Sequence, residues 1–329
     1  MDLRHAWRHV VPTPPEYRDL IDLHRTRQIL RRPGLDPASI PGAIQVEGRT
    51  YYDARDMYNL ALYSGLGNTQ PELEMKYLGR IIVPSDRTRT LRFNVVMSAT
   101  CPQGTACDSD EWEAPELCGS AWDEKITGAG RAEWQGVITR QGTSATIQDS
   151  RIGEVWQYAL QRYRYHYTPP KLSIEVSYTY RWNVGDCVGL SMALAGHLKD
   201  IKKDAYPRVG YLVAGLGAQR HAWVEVVDSD GLTKTLDISL ACLASTYFTK
   251  EYAAFCFGST LNRALPLEKG ELGVVCHHCR GLRILIHPDL QTVRRRASRP
   301  SVVQPHADPS GHRLLHRQPP PPDARSEKA

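Results

Sequence analysis

The chain has 329 residues, 41% of them hydrophobic and 23% charged, with a formal net charge of +5; that is enough for one large domain or two modest ones with a sizeable core. Much of the excess charge sits in Arg294, Arg295, Arg296 and Arg299, and without them the body is near +1, which excludes a strongly basic nucleic-acid-binding core. No stretch approaches the roughly 18 continuous apolar residues of a membrane span, and the first fifteen residues lack the apolar centre of a signal peptide. The expectation is a cytoplasmic protein with no membrane partner. Its eight cysteines (Cys101, Cys107, Cys118, Cys187, Cys242, Cys256, Cys276 and Cys279) leave an odd seven if one is a working thiol, which points to reduced thiols and not to a complete disulfide framework.

Taken in order, residues 1–74 read as a helical segment. Glu16–Arg32 is expected to be a helix, with Leu20, Leu23 and Leu30 on one stripe and Pro33-Gly34 as its stop. A second helix is expected over Tyr52–Tyr63, with Met57, Leu60 and Ala61 on its packing face. Residues 75–150 read as a β-rich subdomain. Leu78–Val83 and Leu91–Met97 are expected as strands, 100–130 as a loop, and Trp134–Thr139 with Thr143–Gln148 as a hairpin. Ile152–Tyr163 has the spacing of an amphipathic helix. Residues 151–290 form the region that carries the chemistry, with Gly281–Ile286 as its last expected strand. The end, 291–329, is basic and rich in proline, including Pro319 to Pro322. Such a segment buries too little surface to offset its ordering entropy, so it reads as a disordered tail open to a proline-binding partner.

The chemistry concentrates between Trp182 and Ser239. Asp186 is a good N-cap, and Leu190, Leu194, Leu198 and Ile201 form a helical stripe after it. Cys187 therefore starts a helix, where backbone N–H groups and the positive dipole end favour a thiolate and offer donors to an oxyanion. Asp186 works slightly against that thiolate by its own charge. In His221-Ala-Trp-Val-Glu-Val226 the alternation predicts a half-buried strand, with Ala222, Val224 and Val226 on the core face and His221 and Trp223 on the other. Asp228-Ser-Asp-Gly231 is a hairpin turn by composition, and the strand Leu232–Asp237 should return antiparallel and bring Asp237 level with His221. A thiol, an imidazole and a carboxylate in that order make a nucleophile, its base and the group that orients the base.

These residues, Trp182-x-x-Gly185-Asp186-Cys187, then His221-Ala-Trp-Val-Glu-Val226 and Leu236-Asp237, resemble the transglutaminase-like superfamily, with Tyr206–Val213 similar to its first strand after the nucleophile helix. The resemblance covers about residues 150–245. It implies an α+β fold with a papain-like core: a cysteine at a helix N-terminus packed on an antiparallel sheet, here behind an N-terminal helical and β-rich extension. It also implies that Cys187 forms a thioester with a peptide or protein amide, that His221 is base and then acid, and that Asp237 orients His221. An upstream residue supplies an oxyanion donor in such proteins, and Trp182 and Asn183 both qualify. Trp182 would otherwise be a core aromatic under the helix.

No cofactor is expected. Cys276-His-His-Cys279 is either half of a zinc site, needing ligands such as Cys242 or Cys256, or a pair of reduced thiols in a loop. The favoured activity is that of a cysteine peptidase-like amidase. The alternatives are a protein-glutamine transglutaminase or deamidase, and a non-catalytic binding module that retains the fold.

Overall fold

The computed structural model describes residues 3–82, 90–109, 111–113, 120–128, 130–141, 146–214, 217–249, 251–259, 264–266, 275–286 and 289–293. Of the tail expected over 291–329, Gln291–Val293 instead belong to a strand paired with Asn94–Val96, and 294–329 lie outside the described residues. The fold is α+β, as the sequence implies.

After a short helix at Leu3–Trp7, the first of the expected helices, α1 (Leu23–Leu30), is shorter than expected because Asp22 caps it, its side chain accepting from Arg25 N. The residues before it are pulled into a different geometry: Leu20–Ile21 is extended and pairs with Tyr52–Asp53. Consequently Leu20 is exposed, and Thr26, Ile29 and Leu30 are the side chains α1 buries. The second helix, α2 (Ala54–Tyr63), follows its Asp53 cap and buries Met57, Leu60 and Ala61, the expected face. Leu78–Val83 departs from expectation. Residues through Ile82 belong to α3 (Gln70–Ile82), and Val83 lies outside the described residues. A short apolar run is compatible with either element, and here Met75 and Leu78 pack against Leu243 and Phe248 on a helical face.

Strands β1 (Thr90–Thr100), β2 (Trp112–Glu113), β3 (Ser120–Gly128) and β4 (Arg131–Gln141) follow. The stretch expected as one loop, 100–130, thus contains β2 and β3, and Trp134–Thr139 pairs with β1 and β3 in place of the expected segment after it. Next come α4 (Ser150–Arg162), α5 (Val176–Trp182), α6 (Cys187–Asp200), β5 (Ala205–Ala214), β6 (Gly217–Val227), β7 (Thr233–Leu236) and α7 (Ile238–Tyr247). Strands β8 (Phe257–Gly258), β9 (Ala264–Pro266), β10 (Val275–Cys279), β11 (Leu282–Ile286) and β12 (Asp289–Val293) complete the described chain.

Besides the small N-terminal sheet of Leu20–Ile21, Arg49–Asp53 and Ile44–Val46, three antiparallel sheets form among the described residues, in the orders β8-β7-β6-β5-β9, β12-β1-β4-β3 and β11-β10-β2. Helix α3 crosses the 74/75 division, and β12, from the chain's far end, pairs with β1. Residues 1–294 make one unit.

The core under the five-stranded sheet joins Ile152 and Trp156 of α4, Leu190, Leu194 and Leu198 of α6, Val224 and Val226 of β6, and Leu236. Each of the three leucines is fully buried and contributes roughly 1.5–3 kcal/mol by leaving water. That stripe presses α6 onto β5 and β6, so the helix that starts at Cys187 is held by its body against the strand that carries His221. The β6–β7 turn is fixed from outside. Lys234 Nζ donates to Asp228 and Asp230, at 2.6 Å each, and Asp228 also accepts from Gln148 N and Asp149 N at the entrance to α4. Burial opposes ionisation of Asp228, but Lys234 and three backbone N–H groups hold its carboxyl well below the usual carboxylate range.

Candidate active site

Helix α6 begins where the sequence predicts. Asp186 is its N-cap, and Oδ1 accepts from Val188 N and Gly189 N at 3.0 Å each. Oδ2 accepts from Ser173 Oγ at 2.6 Å. Burial raises the Asp186 pKa, against the pull of these donors. Two amides of the first turn, expected to be available to an oxyanion, are therefore taken by the cap. The approach to Cys187 is held by a short parallel pairing of Arg164–Tyr165 with Val184–Gly185. Arg164 N donates to Asn183 O, and His166 N to Gly185 O. Glycine is needed on the first turn itself: a Cβ at Gly189 would lie 2.7 Å from the buried Thr179 Oγ1.

His221 lies on β6 opposite Gly210 of β5, and it is only 8% exposed. Both faces of β6 are covered here, since Trp223 and Val224 are each fully buried, so the strand expected to be half-buried is buried on both sides around His221. The Trp223 ring lies 6.3 Å from the imidazole at 23°, which walls it from water.

Asp237 arrives by a different route from the one expected. Strand β7 ends at Leu236, opposite Val224. Asp237 is the N-cap of α7, level with Trp223 and so diagonal to His221, within the reach of cross-strand neighbours. Its Oδ1 accepts from Leu240 N at 3.1 Å and from Ser239 Oγ at 2.9 Å. Its Oδ2 accepts from His221 Nε2 at 2.6 Å, and the carboxylate is 1% exposed. With Nε2 committed to Asp237, Nδ1 is the ring atom left for a second partner, and Cys187 lines the same cleft as the ring. Burial by itself would lower the His221 pKa, but the charge and hydrogen bond of Asp237, followed by those of Cys187, push it up to about 10.

The three predicted residues are thus brought together: Asp237 is hydrogen-bonded to His221, and Cys187 lines the same cleft as His221. Trp182 and Asn183 have other contacts. Trp182 is 43% exposed, so it is not a core aromatic, and the Arg181 guanidinium lies 4.9 Å from its ring. Asn183 caps α5 in the left-handed region (φ 55°), and its Oδ1 accepts from Arg162 Nε at 2.7 Å. Neither lines the cleft over the thiol.

That cleft is narrow, about 40 Å³, and Cys187, His221, Tyr165, Gln219, Ser239 and Met75 are among its lining residues. Sequence reasoning missed four of these, Gln219 on β6 among them. Ser239 was legible, as a hydroxyl two residues after an acid that starts a helix. Tyr165 is partly buried, its hydroxyl kept protonated first by desolvation and then by the neighbouring Cys187. Met75 comes from α3, whose helical nature the sequence did not disclose. A wider cavity of about 470 Å³ lies against α1, beside His24, Arg27 and Arg31. It contains no nucleophile, and the chemistry belongs to the narrower one.

No family model matches the chain, and no curated protein is similar to it. Among solved structures, a candidate cysteine protease from Cytophaga hutchinsonii aligns at 8% identity over 63% of this chain and 92% of its own, with a TM-score of 0.34. A structure described as a TGase aligns at 15% identity over 37% of this chain and 45% of its own, with a TM-score of 0.20. Among the described residues no helix is long and apolar enough to cross a membrane.

Proposed function

We propose that this chain is a cysteine-nucleophile amide hydrolase with a transglutaminase-like, papain-type site, in which residues 151–290 carry the chemistry. The observation that carries the reading is the buried His221 Nε2–Asp237 Oδ2 pair at 2.6 Å, with Cys187 at the start of α6 lining the same cleft. A buried carboxylate on Nε2 fixes the ring so that Nδ1 is free for the thiol, and a raised His221 pKa keeps an imidazolium ready as the acid for the leaving amine.

Cys187 Sγ attacks the amide carbonyl carbon, the C–N bond breaks, and the amine leaves with a proton from His221 Nδ1. Water then attacks the thioester carbonyl while His221 takes its proton; the acid is released and the thiol restored. The oxyanion is assigned to the Cys187 backbone N–H, since Asp186 engages the next two amides. A cleft of about 40 Å³ has room for a water or two beside the thiol, and this favours hydrolysis over transfer to a bulky amine. The reading requires no cofactor, and its substrate is a peptide or protein amide.

The test is release of ammonia or amine from peptide amides, with and without an added primary amine. Turnover that is lost in Cys187→Ala and unchanged by the added amine supports the hydrolase. Incorporation of the amine would make the protein a transferase on the same thioester. Alkylation of Cys187 with an ordinary midpoint near pH 8.5, together with no turnover, would sink the enzymatic reading and leave a binding module.

A further inference from the structure

Cys101, Cys107, His277 and Cys279 meet away from the candidate active site. Their ligand atoms all lie within 4.8 Å of one another. Each residue is at most 8% exposed. We propose that these four side chains form a structural zinc site of the Cys₃His type, closed to substrate.

The first support is the geometry. A zinc ion with Zn–S near 2.3 Å and Zn–N near 2.0 Å sets its ligand atoms about 3.5–3.8 Å apart. Small adjustments of the four side chains give that tetrahedron: the more distant pairs, up to 4.8 Å apart, draw in, and Cys107 Sγ and His277 Nε2, at 3.0 Å, part by about 0.5 Å. The three cysteines are not in disulfides, and an odd number of thiols cannot all pair with one another.

The second support is the imidazole's orientation, which is independent of the sulfur cluster. His277 Nδ1 lies 2.9 Å from Glu111 O. A carbonyl only accepts, so Nδ1 carries the proton and the bare Nε2 lone pair faces the three sulfurs. A backbone carbonyl holding the far nitrogen is how proteins orient a metal-bound histidine. The Trp112 ring stacks on the imidazole at 3.8 Å and fixes its plane. Asp108 stands in the outer shell, accepting from Arg280 N at 3.0 Å and lying 3.5 Å from Cys279 Sγ.

The ligand set also corrects the half-site read from the sequence. On β10, successive side chains alternate between faces, so Cys276 and Cys279 of the Cys-x-x-Cys run point oppositely. His277 and Cys279 share a face, and Cys276 instead takes Arg283 Nε at 3.0 Å. Cys242 belongs beside the other core, with its thiol toward Tyr163 O. Four protein ligands leave no open position, so the ion is a staple. It joins the end of β1 to β10 across some 170 residues of chain, and that is where closing a loop restricts the unfolded chain most. Binding releases three thiol protons, and the site carries one net negative charge when filled.

The experiment is metal analysis of the full chain, purified under reducing conditions from zinc-supplemented medium. One zinc per chain is expected. It should be lost in Cys107→Ser and in Cys279→Ser and retained in Cys187→Ala and Cys276→Ser. Because the ligand variants may not fold, wild-type protein stripped by a chelator is also titrated with Co²⁺. A thiolate-to-cobalt charge-transfer band with the visible bands of tetrahedral cobalt, saturating at one equivalent, is expected. Folded wild-type protein without stoichiometric metal and without those bands would overturn the site. So would full zinc retention in the two ligand variants, or a disulfide mapped between Cys101 and Cys107.

Discussion

Replacing Asp237 with asparagine separates the charge of the candidate triad from its shape. Asp237 Oδ1 caps α7 and accepts from Ser239 Oγ, and an asparagine oxygen can keep both bonds. The other atom changes: Oδ2, now accepting from His221 Nε2 at 2.6 Å, becomes an amide donor. The imidazole must then offer its Nε2 lone pair and carry its proton on Nδ1, so that it meets the thiol as a donor and cannot take its proton. The charge matters as much. Burial pulls His221 below its ordinary 6.5, and Asp237 with Cys187 lifts it to about 10. That difference is worth roughly 5 kcal/mol in favour of the imidazolium, and the largest share of the lift comes from Asp237. Asp237→Asn is expected to lower kcat/KM for amide release by about 10³–10⁴-fold and to move Cys187 alkylation toward an ordinary thiol midpoint near 8.5. The stability consequence has a definite sign. A histidine raised on folding contributes fully below its unfolded value of 6.5, and that contribution is lost as pH rises through about 10. Urea midpoints of the wild type should fall across that window, and those of Asp237→Asn should stay nearly flat. Activity of the variant within about tenfold of wild type, or a wild-type midpoint that does not fall, would refute the reasoning.

Three further outcomes test how the site is held. Asp186→Ala removes the bonds to Val188 N and Gly189 N, and is expected to cost about 1–2 kcal/mol in urea titration and to reduce turnover by loosening the first turn under Cys187. Gly189→Ala drives a Cβ to 2.7 Å from Thr179 Oγ1. Overpacking of this kind is worth roughly 1–3 kcal/mol, so the variant should melt lower and lose activity, whereas Thr179→Ala combined with it should recover part of both. Lys234→Met strips Asp228 and Asp230 of their cation. Because the Asp228 carboxyl is lowered on folding, its contribution is present above the ordinary carboxylate range and lost on acidification. The variant should therefore show a lower Tm at neutral pH and a shallower decline of Tm between pH 5 and pH 2, by circular dichroism.

The parts of this protein that were legible in its sequence are those whose determinants lie within a few residues of one another. Helix α6 is spelled by one cap and a leucine stripe, Asp186 and then Leu190, Leu194 and Leu198. The β6–β7 turn is spelled by Asp228-x-x-Gly231, whose glycine takes φ +77°. Order along the chain then suffices to suggest Cys187, His221 and Asp237, because each element carries one of them. Determinants that lie far apart were not legible. Nothing local distinguishes Leu78–Ile82 as helix until Leu243 and Phe248 arrive to cover its face. Asp237 reads locally as the end of a strand, and it becomes a helix cap because Ser239 and Leu240 N turn back on its Oδ1. That change of role is chemically useful: a capping carboxylate is anchored through one oxygen, and the other is left with a fixed direction toward His221. The cluster of Cys101, Cys107, His277 and Cys279 is the extreme case. The Cys-x-x-Cys spacing attracts notice to Cys276 and Cys279, yet a strand period of two selects His277 and Cys279 and leaves their partners to be supplied by a turn some 170 residues earlier. Sequence spacing identifies a metal site only when the backbone geometry between the ligands is known, and here that geometry is a strand.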